Sequence, residues 1–267
     1  MAPHPIITLT TDFGQSDGYV AAIKGVILSR VPTATIVDLC HAIPPQGITQ
    51  AAYVLKDTFP YFPAGSIHVV VVDPGVGSAR GIIALSSQGH TFLAPDNGVL
   101  SLVADLEAKA FLAHRPDLYQ QPVSQTFHGR DIIAPLAAHL ATGHAPETIG
   151  PGIAMAHLTA LHLPVPTIDR AGRRVLGCVV RIDHFGNLIT NTSRADLQQL
   201  SESIADITVA IGPHRLTSWY QNYSQAPPGQ PLILVNSSGL IEVAINRDHA
   251  ARRLNCGIND KVSFSVC

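Results

Sequence analysis

Apolar residues in this chain follow two rhythms that change near residue 160. In the first part, β-branched runs alternate with stretches whose apolar positions recur every three or four residues. Ile6 to Thr10 reads as a strand ending at Thr11-Asp12. Ser16-Asp17-Gly18 then opens a helix carrying Tyr19, Ile23, Val26 and Ile27 at helical spacing. Ala34 to Leu39 predicts a second strand, and Pro44-Pro45-Gln46-Gly47 a second helix with Ala51, Ala52, Val54 and Leu55. Ile67 to Val72 contains four consecutive valines, the pattern of a strand buried on both faces and typical of parallel sheets. Ile82 to Leu85 and Thr91 to Ala94 predict a hairpin, and Asp131 to Leu140 an apolar helix.

The stretch 159–174 carries Pro164, Pro166, Gly172 and a charged run, Asp169, Arg170, Arg173 and Arg174, and reads as a linker. Beyond it, short strands at 175–182, 207–211, 231–235, 240–245 and 261–266 are separated by turn residues with no long helix. The expected architecture is therefore an α/β domain over 1–165, with a mostly parallel central sheet flanked by helices, and a smaller all-β barrel-like domain over 172–267.

Composition adds three constraints. Charged residues are 13% of the 267, about half the usual share, so some apolar surface is expected in a subunit interface. A formal charge of -2 and no basic block argue against a nucleic-acid or anionic-membrane partner. Cys40, Cys178, Cys256 and Cys267 form no CxxC pair, as expected of reduced thiols in a cytoplasmic protein. The N-terminus has neither the basic nor the long apolar region of a signal peptide, and no run approaches the roughly 18 apolar residues of a membrane span.

Candidate chemistry gathers at strand ends, which border the ligand crevice in open α/β sheets. Asp12 ends the first strand, where a carboxylate can accept a hydroxyl pair or simply form a turn; Asp17 also suits a first helical turn. Asp73 ends the valine strand, and the turn Pro74-Gly75-Val76-Gly77 leads on to Arg80. This turn lacks the spacing of a phosphate-binding loop. His128, between Phe127 and Gly129 at a loop–helix junction, can titrate near neutrality. No histidine pair has zinc-ligand spacing, so no metal is expected. In the second domain, Asp183 and Phe185 lie beside Asn187, whose amide edge suits adenine and whose neighbouring ring could stack on a base, although a β-turn with a packed Phe fits as well. Ser237, Ser238 and Glu242 could hold a sugar or zwitterion, or form a polar turn.

Eight ordered motifs carry a resemblance along nearly the whole chain: TTDFG…D at 10–17, AIKGVI at 22–27, VDLCHAIPPQ at 37–46, YFPAGSIHVVVVDPGVGSAR at 61–80, APDNGxLS at 94–101, TFHGRDIIAP at 126–135, DHFGNLITN at 183–191 and NSSGLIEVAIN at 236–246. Together they resemble the S-adenosyl-L-methionine hydroxide adenosyltransferases, water-using relatives of the fluorinase and chlorinase enzymes. The resemblance implies hydrolysis of S-adenosylmethionine to adenosine and L-methionine by water attack at C5′, with no cofactor, and some relatives are thought to clear the non-biological sulfonium epimer. It implies a triad of Asp73, Arg80 and His128, with Asp73 and His128 fixing the water and accepting its proton. Phe127 sits in the same motif as His128 and is expected to touch substrate. Asp12 would hold the ribose hydroxyls; Asn187, Ser237, Glu242 and Ile245 would line the nucleoside; Asp17, Asp183 and Ser238 would lie towards methionine. Ser238 stands where some relatives have arginine. Halogenating relatives differ at the position matching Asp73. A homotrimer with sites shared between subunits is also implied. Two other classes remain open on residues alone: a metal-dependent hydrolase using Asp12, Asp73 and His128, and a non-catalytic nucleoside-binding module.

Overall fold

The computed structural model describes residues 4–266. The chain divides into two compact units, Met1–Leu161 and His162–Cys267.

In the first unit, seven strands form one sheet: β1 (Ile6–Thr11), β2 (Thr35–Cys40), β3 (Ile67–Val71), β4 (Ile82–Ser87), β5 (His90–Pro95), β6 (Lys109–Leu112) and β7 (Gly152–Ile153), in the order β2-β1-β3-β5-β4-β6-β7. The valine run explains the layering. Val69 and Val71 pack with Ile23 and Ile27 of helix α1 (Tyr19–Arg30) and Leu136 and Ala137 of α3 (Ala134–Ala141). Val70 and Val72 face the other way, onto Ala51, Ala52 and Leu55 of α2 (Ile48–Thr58). A strand clamped between two apolar layers needs no polar alternation.

The sheet is mixed rather than mostly parallel. β2, β1, β3 and β5 pair in parallel, and β5, β4, β6 and β7 pair antiparallel. The expected hairpin at 82–95 causes this: β5 joins β3 in parallel, so its hairpin partner β4 must run the opposite way. The chain leaves β1 towards β2 on one side and returns to β3 on the other, which makes the gap beyond the ends of β1 and β3 the switch point of the sheet. Asp12 follows directly after β1, and Asp73 comes two residues after β3.

The second unit is an antiparallel, nearly closed barrel-like sheet. Its strands are β8 (Thr167–Asp169), β9 (Arg174–Ile182), β10 (Leu188–Ser193), β11 (Ile207–Ile211), β12 (His214–Leu216), β13 (Pro231–Val235), β14 (Leu240–Ile245) and β15 (Lys261–Val266). Trp219, just past β12, bridges to Ile233 of β13 and draws the two sheet ends together. Val179, Leu188, Val209, Val243, Val262 and Phe264 fill the interior. Its helices are short: α4 (Arg194–Gln198), opened by a capping box between Ser193 and Asp196, and α5 (Ala250–Arg253).

The stretch expected as a linker is partly built structure. Thr167–Asp169 pairs with Arg174–Leu176, and the charged run closes this hairpin, with Arg174 Nε donating to Asp169 Oδ2 at 2.9 Å. Earlier in the same stretch, Thr159 N donates to Asp96 and Leu161 N to Ser101. β10 was hidden in the sequence because its TNTS end is polar; Thr190 and Thr192 are nevertheless buried, with Thr190 donating to the Ile241 carbonyl.

Candidate functional site

At the switch point of the first unit lies a cavity of about 480 Å³, lined by Asp12, Phe13, Tyr19, Gln46, Asp73, Phe127 and His128 among others. Two glycines make it possible. Gly77 has φ +78, and a Cβ there would lie 2.5 Å from the Gln125 carbonyl; this turn folds Arg80 back onto Asp73. A Cβ on Gly129 would stand 2.9 Å from Val71, so only glycine lets the chain press His128 against the end of β3. The turn Gly129–Ile133 is a π-helical widening leading into α3, a feature often found at functional sites. Asp131 anchors it: the carboxylate is fully buried and accepts from Arg130 Nε at 2.6 Å and from Ser124 N at 2.8 Å.

Asp73, Arg80 and His128 form a continuous row. Arg80 Nε donates to both Asp73 oxygens at 3.0 Å, and its Nη2 makes a further short contact with Oδ2. The same Nη2 donates to His128 Nδ1 at 2.9 Å. Burial, and then the Arg80 charge, push the His128 imidazole below its ordinary value and favour the neutral ring. Such a row can hold a small polar molecule in one orientation. Asp73 meets a guanidinium that blocks much of its coordinating edge, which fits an ion-paired carboxylate better than a metal ligand. Among the described residues, no three His, Cys, Asp or Glu side chains cluster to hold a metal ion.

Across this cavity Asp12 Oδ2 accepts from Gln46 N at 2.7 Å. Phe13, Tyr19 and Phe127 pack ring to ring, with centroids 5.3–6.0 Å apart, and form an aromatic wall. Asp17 is exposed, contacts Ser16, and is not among the lining residues.

The second unit has a cavity of about 490 Å³, lined by Asp183, Phe185, Asn187, Tyr223, Ile245 and the run 246–248. Asp183 accepts from Asn187 twice at 2.9 Å, once from the backbone N and once from Nδ2, so it fixes the amide directly. Phe185 is 73% exposed, a flat ring without a packing partner on most of its surface. Glu242 is buried behind Tyr223, whose hydroxyl donates to it at 2.8 Å; burial pushes the Glu242 carboxyl up. Ser237 and Ser238 lie in the turn between β13 and β14, where Ser238 N donates to Asn236 Oδ1, and do not line this cavity. Tyr223, Arg247 and Asp248 carried no motif of their own, and only the fold brings them here; Asn246 closes the last motif. Phe13, by contrast, sat inside the first motif.

Two family models match the chain: the SAM hydroxide adenosyltransferase N-terminal domain over residues 7–150 and the corresponding C-terminal domain over 177–263. A curated protein of Salinispora arenicola, (R)-S-adenosyl-L-methionine hydrolase, is 40% identical with the whole of both chains covered. The protein of the same name from Thermus thermophilus is 38% identical over 91% of this chain and 93% of its own. An uncharacterised conserved protein from Thermotoga maritima has a crystal structure that superposes with a TM-score of 0.88 at 31% identity, covering 97% of this chain and 99% of that one. This chain belongs to the SAM hydroxide adenosyltransferase family.

Proposed function

We propose that the protein hydrolyses S-adenosylmethionine to adenosine and L-methionine, with water as the nucleophile at C5′. The observation that carries this reading is the Asp73–Arg80–His128 row in the switch-point cavity. The C5′–S bond breaks with its electron pair going to sulfur, a C5′–O bond forms, and one water proton is released. A sulfonium leaves as a neutral thioether, so sulfur needs no acid and no metal. The remaining barrier is the placement of water in line with C5′, which is an orientation problem. Asp73 and His128 hold that water, and the proton passes to the Asp73 carboxylate and then to solvent. Arg80 aims the Asp73 carboxylate through a charge-assisted pair to both oxygens.

In this reading Asp12 holds the ribose hydroxyls and Phe127 walls the sugar. Phe185 stacks on adenine, Asn187 reads its edge, and Ser237, Glu242 and Ile245 line the nucleoside. Asp17, Asp183 and Ser238 are assigned to the methionine end, although Asp183 is already engaged by Asn187. The site is completed in a homotrimer, where one subunit's α/β unit meets its neighbour's barrel. The names of the relatives favour the (R)-sulfonium epimer as substrate. A reducing cytoplasm suits the free thiols of Cys40, Cys178 and Cys256.

Turnover in oxygen-18 water tests the bond assignment. Label is expected in the adenosine 5′-hydroxyl, with each sulfonium epimer assayed separately. Unlabelled adenosine, or release of adenine, would show that another bond is cut; adenosine binding without turnover of either epimer would favour a binding module.

A further inference from the structure

One polar chain near the first cavity plays no part in the row described above. Thr11 Oγ1 is buried and lies 2.9 Å from His41 Nδ1. His41 Nε2 lies 3.0 Å from Asp38 Oδ1, and Asp38 Oδ2 accepts from Lys24 Nζ at 2.6 Å. Thr11 Oγ1 also accepts from Phe13 N, and the His41 carbonyl accepts from Gly14 N at 2.8 Å.

Proton placement along this chain follows from its ends. The Asp38 carboxylate 3.0 Å away favours the hydrogen on His41 Nε2 through charge, although the two atoms are not aligned as a hydrogen bond. Nδ1 is then an acceptor, and the Thr11 hydroxyl must donate to it. That leaves the Thr11 oxygen free to accept from Phe13 N. The chain runs from Lys24 on α1 through β2 to the residues on either side of Asp12. Thr11 precedes Asp12, and Phe13 and Gly14 follow it; all three are tied to His41 directly or through one atom.

We infer that His41 is a positioning residue which, through Thr11 and the backbone of residues 13–14, aims the Asp12 carboxylate at a vicinal diol. The inference rests on the assignment of Asp12 to the ribose. It deepens that assignment by naming what holds the carboxylate still: Gln46 N fixes Oδ2, and the His41 chain fixes the backbone that carries it. His41 touches neither the diol nor the reacting carbon; its effect is on sugar recognition. Asp38, half-exposed and on the far side of His41, orients the imidazole.

The test is calorimetric binding of adenosine and 2′-deoxyadenosine, run beside turnover of S-adenosylmethionine. A hydrogen bond from a hydroxyl to a carboxylate gives roughly ten- to a hundredfold preference for the ribonucleoside in the wild type. His41→Leu and Thr11→Val are expected to remove most of that preference by weakening adenosine and leaving 2′-deoxyadenosine nearly unchanged. Thr11→Ser, which keeps the hydroxyl, is expected to restore it. Asp38→Asn, at a half-exposed position that does not threaten the fold, is expected to give an intermediate preference. In turnover, the loss is expected in KM more than in kcat. Full preference retained in Thr11→Val and Asp38→Asn would overturn the inference, as would a wild type with no preference. A wild type that prefers adenosine but does not cleave the sulfonium would instead overturn the hydrolase reading and leave His41 in its role.

Discussion

Arg80 Nη2 lies 2.9 Å from His128 Nδ1. A guanidinium nitrogen can only donate, so the imidazole nitrogen facing it must accept. The one proton of a neutral His128 therefore sits on Nε2. The ring orientation is fixed with it, because a ring turned over would face Arg80 with a carbon instead of an acceptor. On this tautomer the role we propose for His128 is to donate a hydrogen bond to the water, with Asp73 as the proposed proton acceptor.

An amide can imitate such a ring, accepting with its oxygen and donating with its nitrogen. His128→Asn should therefore retain much of the turnover, whereas His128→Ala should lose about a hundredfold, within the range of positioned acid–base groups. Single-turnover rates on both variants check this, and equal loss in both would mean that His128 acts as a base. The pH profile gives a second reading. Burial and Arg80 lower the His128 pKa, so the rate should stay level as pH falls through the ordinary histidine value of about 6.5 and decline only below it, when protonation ends acceptance from Arg80.

Asp73 and Arg80 are both largely buried and pair with each other. Asp73→Asn should lower turnover by roughly a hundred- to ten-thousandfold with the fold intact. Arg80→Lys should recover little, because a single ammonium cannot reach both carboxylate oxygens and Nδ1 of His128 together. A chelator should leave the wild-type rate unchanged; loss of activity restored by a divalent ion would revive the metal-hydrolase reading. Steady-state kinetics and circular dichroism on the same samples separate catalysis from unfolding.

Halide should not replace water. A halide about 4 Å from an ionised Asp73 meets repulsion on the order of 4 kcal/mol at an effective dielectric of 20, or roughly three decades in rate. Arg80 offsets part of this. In molar chloride the wild type should give adenosine with no competing 5′-chloro-5′-deoxyadenosine. Chlorinated product at a comparable rate would mean that Asp73 does not face the nucleophile.

The exposed ring of Phe185 and the low charged fraction of the chain both favour association. Light scattering at assay concentration should give the mass of a trimer, and Phe185→Ala should weaken nucleoside binding. A fully active monomer would remove the shared-site assembly.

His68 provides a stability prediction away from the cavity. It is fully buried on β3, 2.8 Å from Thr8 Oγ1 through Nδ1 and 3.2 Å from His90 Nδ1 through Nε2, and its ring stacks on Phe92. Burial, and then the neighbouring His90, lower its pKa to about 4. The unfolded chain therefore takes up this proton first as pH falls. Stability is fully present above pH 6.5 and is lost between 6.5 and 4, by about 3 kcal/mol at the lower end. Urea midpoints of wild type and His68→Gln at pH 7 and pH 4.5 check the sign: the variant should be weaker at pH 7 but lose less on acidification.

The elements most legible in the sequence were those with a single strong rhythm. The valine run showed a doubly covered strand because no other environment tolerates it. The helix at Tyr19 and the strands of the barrel were legible for the same reason. Parallel against antiparallel pairing was not legible, because strand direction within a sheet is a long-range property that hairpin 82–95 decides only once β5 has docked. β10 and β8 were obscured by polar threonines and charges whose partners lie elsewhere in the chain. In the candidate site, Asp73, Arg80 and His128 stood in motifs, and the fold brings the three side chains into one hydrogen-bonded row. Tyr223, Arg247 and Asp248 reached their cavity only through loops that have no periodicity to read.

The two hydrogen bonds from Asn187 to Asp183 have a consequence for the nucleoside recognition proposed for this cavity. A carboxylate accepts only, so the Asn187 amide must turn its nitrogen towards Asp183 and leave its oxygen facing away. An amide that could otherwise present either end is thereby reduced to a fixed polarity. An oxygen held in that position welcomes the exocyclic amino group of a 6-aminopurine and repels the carbonyl of its deaminated counterpart. Discrimination against inosine would thus be written into a side chain that need not touch the base at all: replacing Asp183 by a residue able to donate would release the amide, let it turn over, and admit the keto base without altering any group in contact with it.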